Sequence, residues 1–262
     1  MDAGFGVRQP TLARVHADCR PPGSAYDAVA SWYAESLRTG SPVHAVAMPA
    51  LLELVGDVVG LAVCDLACGT GIAARLLTEA GARVTGIDLS TALLEIARRE
   101  VGEGVGEVDY IHADIQRMPE IGDDTFDGAV SSLALMDIEH LDRCLSETAR
   151  ILRSHAWFVF TITHPCFQGP ESRWTGKAGG IVKREVRGYF REGFWRSDNR
   201  NDVRGRVGAY HRTLSSYLNV AIGAGFAVEQ IREPQPVNEV AARVPGYAEV
   251  PVVLAVRCRK MN

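Results

Sequence analysis

At 262 residues the chain is long enough for one large α/β domain carrying an insertion. Its 47% hydrophobic and 23% charged residues describe a folded globule, and a formal net charge of −4 argues against a general nucleic-acid surface. No apolar run approaches the ~20 residues needed to span a bilayer, so no membrane association is expected.

Residues 1–23 lack the apolar stretch of a secretory signal. They read as a flexible leader ending at Pro21-Pro22-Gly23, an arm that could also support a homodimer. The six cysteines, Cys19, Cys64, Cys68, Cys144, Cys166 and Cys258, are scattered without a CxxC pair. They are read as reduced thiols of a cytoplasmic protein, with no metal site.

A helix is expected from Ser24, with Tyr26, Val29, Ala30, Tyr33 and Leu37 on one face and Ser24 as its cap. A second helix follows in "HAVAMPALLELVGDVVG", with Pro49 at or near its start. Strand and helix then alternate. The first strand, "LAVCDL" (61–66), is a near-continuous apolar run, as a parallel strand covered on both faces requires. A helix runs from Gly71 to Ala80, "RVTGIDL" (83–89) is the second strand, and Ser90 caps the helix after it. "EVDYIHA" (107–113) and "FDGAVSS" (126–132) supply the third and fourth strands. A helix over 140–152 leads to the fifth, "AWFVFTIT" (156–163). From His164 to Arg212 the rhythm breaks into arginines and aromatics, among them Phe167, Trp174, Tyr189, Phe194 and Trp195, which suits an inserted lid of short strands and loops. "TLSSYLNVAIGAGF" resumes as a helix, and two last strands flank a Pro-rich loop of about 17 residues. The pattern predicts a doubly wound, seven-stranded, mostly parallel sheet formed by residues 24–163 and 213–262, with 164–212 inserted on the substrate side.

The chemistry is concentrated at strand ends. "DLACGTG" places Gly69 and Gly71 after the first strand, a turn that serves nucleotide-like ligands of several kinds. Asp65, four residues ahead of Gly69, would repel a pyrophosphate but favours an ammonium group. Asp88, closing the second strand, can accept from the vicinal hydroxyls of a ribose. Asp114, beyond the third strand, can accept from an adenine amine while the Ile115 N–H donates to a ring nitrogen. Ammonium, ribose and adenine in chain order describe S-adenosylmethionine.

Taken with "GIDLS", "HADIQRMP", "FDGAVSSLALMDI" and the last two strands, the motif resembles the class I S-adenosylmethionine-dependent methyltransferases over residues 24–165 and 213–258. "MDI", "HPCF" and "YHRTLSSYLNVAIGAGF" are similar to a bacterial small-molecule subgroup. The resemblance implies that Asp65, Ala67, Gly69 and Gly71 cradle the methionine end, Asp88 and Leu89 the ribose, and Asp114 and Ile115 the adenine. It further implies a backbone contact at Ser131 and a closing role for Tyr26 and Tyr33. One departure is the Pro-Gly-Gly turn usual before the fifth strand, replaced here by Arg153-Ser154-His155-Ala156.

For catalysis, His164 lies just past the end of a central strand, where a neutral imidazole could accept the acceptor's proton. His211 returns from the insertion to the same space, and Asp137, which opens the helix after the fourth strand, caps that helix or assists. Each has a packing role as its alternative, and His112 is read as structural. The reading is methyl transfer to a small aromatic or heteroaromatic metabolite, on oxygen, nitrogen or carbon, in secondary metabolism, with no nucleic-acid partner. A nicotinamide-dependent oxidoreductase and a catalytically silent S-adenosylmethionine-binding protein are its alternatives.

Overall fold

A computed structural model describes residues 23–100, 106–176 and 182–262. The expected leader lies, apart from Gly23, outside the described residues. The first helix is shorter than its apolar face implies: a 3-10 turn, Asp27–Val29, precedes α1 (Ala30–Arg38). Ser24 accepts from the Tyr26 N–H at 3.2 Å instead of capping α1. In α2 (Pro42–Val55) it is Pro42, not Pro49, that sits in the first turn, and Pro49 lies inside the helix. Pro49 lacks the N–H for one bond of the helix ladder, but Leu51, Leu54 and Val55 are buried against the sheet and hold α2 together.

The alternating part then runs β1 (Ala62–Leu66), α3 (Ile72–Glu79), β2 (Arg83–Asp88), α4 (Thr91–Arg99), β3 (Asp109–His112) and β4 (Phe126–Ser132). Ser90 caps α4, its Oγ accepting from the Leu93 N–H at 3.1 Å. α5 (Leu141–Ile151) passes directly into β5 (Leu152–Thr163), so the fifth strand starts earlier than its apolar run. Where the family pattern has glycine, His155 takes the left-handed conformation, at φ +61°.

Residues 164–212 hold β6 (Arg173–Thr175), β7 (Lys183–Glu185), β8 (Gly193–Trp195), α6 (Val203–Val207) and β9 (Ala209–His211). β6 pairs with β7 and β8 with β9, as two separate antiparallel ribbons. The chain closes with α7 (Leu214–Gly223), β10 (Phe226–Arg232), α8 (Asn238–Arg243) and β11 (Val253–Lys260). α8 lies inside the Pro-rich loop. Its six residues are too few to show a helical period between Pro236 and Pro245.

The seven strands order as β3-β2-β1-β4-β5-β11-β10, the first five parallel and β11 antiparallel to both neighbours. Strand alternation sorts β5 onto two cores. Phe158 and Phe160 pack with Phe226 and Leu145 on one face; Trp157 and Val159 pack with Leu51 and Leu77 on the other. The strand order reverses between β1 and β4. At such a point the crossovers leave to opposite faces and open a crevice beyond the carboxyl ends of the strands. Among the described residues no helix is long and apolar enough to cross a membrane.

Candidate active site

A cavity of about 750 Å³ opens at that reversal. The turn after β1 forms one wall: Ala67 and Gly69 both have left-handed backbones, at φ +54° and +56°, and a side chain built on Gly69 would meet nothing within 4 Å. The backbone can therefore approach a ligand closely there. Gly71 has a different purpose. It does not line the cavity; its φ is +76°, and an added Cβ would lie 2.1 Å from the Tyr110 hydroxyl.

The acids are arranged around this turn. Asp88 accepts from the Gly69 N–H at 2.8 Å and the Ser90 N–H at 2.7 Å, so it fixes the glycine turn while lining the cavity with Leu89. Burial raises its pKa against the pull of those two amides. Asp114 and Ile115 line the far end, where Gln116 donates to both Asp114 oxygens, at 3.0 and 3.1 Å. His112 holds the connection behind them, its Nε2 3.0 Å from the Leu89 carbonyl.

Asp65 is different from both. It is 1% exposed, and neither carboxylate oxygen has a hydrogen-bond partner. Burial pushes its pKa up to about 7; the Ala74 amide favours the charged form but lies outside hydrogen-bond geometry. Asp65 lines a side chamber of about 360 Å³ that shares Tyr33, Ala67, Gly69 and Ser132 with the main cavity. An orphaned buried carboxylate costs stability unless something cationic meets it. The ammonium end of S-adenosylmethionine is such a group, and the open glycine turn beside it has room for the ligand's body.

Tyr26 and Tyr33 meet edge to face, ring centres 5.1 Å apart, on the wall between this cavity and a second one of about 970 Å³. The Tyr26 hydroxyl donates to Asp137 Oδ2 at 2.9 Å. Burial, then the Asp137 charge, raises the pKa of both phenols, so they stay protonated. The other Asp137 oxygen is ion-paired with Arg204 of α6. Burial alone would lower the guanidinium's pKa, but the Asp137 carboxylate outweighs it and keeps it raised.

Two expectations are corrected here. Asp137 caps no helix: it closes a 3-10 turn, Leu135–Asp137, and α5 begins after His140. With its oxygens engaged by Tyr26 and Arg204, it is a positioning residue and not a base. Ser131, expected to offer its backbone, has its side chain fully buried with Oγ unpartnered, and the side chain of the next residue, Ser132, lines the cavity. One residue along a strand exchanges faces. His164 is 2% exposed, with Nε2 2.8 Å from Glu233 Oε1 and Nδ1 accepting from the Cys166 N–H at 3.3 Å. No lone pair is left to take an acceptor's proton.

His211 keeps one. Its Nε2 lies 2.8 Å from the Tyr189 carbonyl, which can only accept, so Nε2 carries the hydrogen and Nδ1 is the basic nitrogen. It lines an inner chamber of about 280 Å³ that shares Thr163, Gln168 and Arg204 with the second cavity. Sequence reasoning missed Ser24, Gln116, Leu133, Gln168, Arg204 and His44 at these walls. Only Gln116, next to Asp114 and Ile115, had a signal in the chain. His44, buried beside Tyr33, has its pKa lowered by burial to about 4 and is neutral.

A family model described as a methyltransferase domain matches residues 64–160. A solved S-adenosylmethionine-dependent methyltransferase from Mesorhizobium loti superposes with a TM-score of 0.70 at 31% identity, covering 85% of this chain and 99% of that one. A Haemophilus influenzae protein of uncharacterized role is 33% identical over 195 residues, 71% of this chain and 75% of its own length. The demethylmenaquinone methyltransferase of Clavibacter sepedonicus is 35% identical over 104 residues, only 42% of its length. The chain belongs to the S-adenosylmethionine-dependent methyltransferases. It is an enzyme of that Rossmann-like class, S-adenosylmethionine is its cofactor, and the nicotinamide reading is set aside.

Proposed function

We propose that the protein transfers a methyl group to a small aromatic or heteroaromatic metabolite seated in the second cavity, which adjoins the donor cavity and shares Tyr26, Tyr33 and Leu133 with it. The observation that carries this is the unpartnered Asp65 carboxylate beside a glycine turn, in a chamber continuous with the cavity. When bound, S-adenosylmethionine supplies a methyl on a sulfonium centre, open to in-line displacement.

The chain's own residues bind and align. Asp65 takes the ammonium end, with Ala67 and Gly69 giving the backbone surface next to it. Asp88 accepts from the ribose hydroxyls, and Asp114 with the Ile115 N–H holds the adenine. Ser131 offers the backbone contact that the resemblance implies, and Ser132 lines the wall beside it. Tyr26 and Tyr33 close the donor side and exclude water, so that alignment lowers the barrier. His211, with Nδ1 basic, takes the acceptor's proton where transfer requires its loss. Residues 164–212 act as the lid over the acceptor. The Clavibacter relative is named for a quinone, which fits an acceptor of this size and flatness.

Calorimetry with S-adenosylhomocysteine and with NAD tests the donor site, comparing the wild type with Asp65→Asn. The expected result is binding of S-adenosylhomocysteine alone, weakened at least about tenfold by the substitution, as loss of a charge-assisted contact implies. Equal affinity in the variant would reject the role given to Asp65.

A further inference from the structure

The second cavity is lined by apolar side chains, Val43, Leu133 and Val252 among them, and by polar ones that include Ser36, Ser41 and His44. Gln168 and Arg204 stand with Thr163 on the boundary shared with the His211 chamber. Arg204 is already paired with Asp137. Gln168 is not satisfied. Its Oε1 accepts from Arg184 Nη2 at 3.0 Å, so the amide cannot turn over, and the Nε2 that remains is buried without any partner. Arg184 is itself fixed, donating to the Phe167 carbonyl through Nε and lying 4.7 Å from the Trp174 ring centre.

Buried donors are nearly always paired, because an unpaired one forfeits its hydrogen bonds to water. Here the insertion holds one at a cavity wall, with its orientation locked by a second side chain. Resting on the methyltransferase reading above, we infer that Gln168 selects acceptors carrying a carbonyl oxygen, ketone, quinone or carboxyl, and that Arg184 is its positioning residue. An N–H donor with no alternative partner discriminates strongly, since a ligand lacking the oxygen leaves it unpaired. The carbonyl end of the acceptor sits at Gln168, its apolar body against Leu133 and Val252.

The test is Gln168→Glu, which keeps an oxygen for Arg184, replaces the donor by an acceptor, and should fold. Protein saturated with S-adenosylhomocysteine is titrated with matched pairs that differ only in a carbonyl: 4-hydroxyacetophenone against 4-ethylphenol, and 3-acetylindole against 3-ethylindole. The wild type is expected to bind the carbonyl member of a pair at least about tenfold more tightly. The variant should lose that preference and retain S-adenosylhomocysteine affinity. Equal binding within every pair, no binding by any member, or an undiminished preference in Gln168→Glu overturns the inference. Failure of S-adenosylhomocysteine to bind the wild type would instead count against the donor site itself.

Discussion

Arg204 and Asp137, 67 residues apart in the chain, form an ion pair that ties α6 of the inserted segment to the turn after β4. Asp137 passes the connection on to Tyr26 at the donor cavity. A second arginine of α6 reaches a different element, the Arg206 guanidinium lying 4.1 Å from the Trp32 ring centre on α1. α6 is thus tied both to the turn after β4 and to the N-terminal helix.

Removing one partner of a largely buried pair leaves a charge without compensation, so Arg204→Met should lower unfolding stability by on the order of 3 kcal/mol. Asp137→Leu added to it should restore a good part, because the stranded carboxylate is then gone. Urea unfolding of the two singles and the double measures this. Additive losses would mean that the pair contributes no coupling. S-adenosylhomocysteine affinity should fall in the two variants that lack Asp137, since Tyr26 loses its anchor there.

Asp65 makes the free and the donor-bound protein respond to pH in opposite ways. Its folded pKa, about 7, lies above the ~3.9 of an unfolded aspartate. The folded state then holds the proton more tightly, so this group's contribution is fully present below about pH 4 and is lost as pH rises to about 7. Asp65→Asn should match the wild type at acid pH and exceed its stability by a few kcal/mol near pH 8. Donor affinity runs the other way: the carboxylate must be ionised to meet an ammonium, so the wild type tightens toward pH 7 while the variant stays flat and weak. Parallel melting and calorimetric pH series check both signs. Superimposable profiles for the two proteins would contradict them.

His155 offers a stability gain. A left-handed backbone costs a non-glycine residue roughly 1–2 kcal/mol, while glycine adds about 0.4–1 kcal/mol of unfolded-state entropy. His155→Gly should therefore gain roughly 0.5–1 kcal/mol, or a few degrees in Tm, with no change in ligand affinity. A lower Tm would show that the imidazole makes a contribution larger than the strain it imposes.

The sheet was legible because each central strand is a short apolar run ended by a polar residue, and covering both faces demands that pattern. Asp65, Asp88 and Asp114 were legible as acids at or just beyond the carboxyl ends of three such strands. What lay beyond reach depended on which way side chains turn. His164 stands at the expected strand end, yet Glu233, 69 residues later and on the far side of α7, takes its Nε2. Arg204 is one of many arginines in the insertion, and nothing in the chain order joins it to Asp137, 67 residues earlier. Ser131 and Ser132 are indistinguishable until the register of β4 against β1 and β5 is known.

The two histidines separate by their hydrogen bonds. His211→Ala removes an imidazole whose basic Nδ1 is set by the Tyr189 carbonyl, in a chamber that shares Thr163, Gln168 and Arg204 with the acceptor cavity. With an acceptor that must lose its proton during transfer, kcat should fall by about 10²–10⁴ while S-adenosylhomocysteine affinity is kept. His164→Ala cuts the bonds to Glu233 and Cys166 at a fully packed site, so it should lower Tm and leave kcat within about threefold at a permissive temperature. The reverse pattern, with His164→Ala inactive at native stability and His211→Ala fully active, would mean that the imidazole of His164 leaves Glu233 when the acceptor binds.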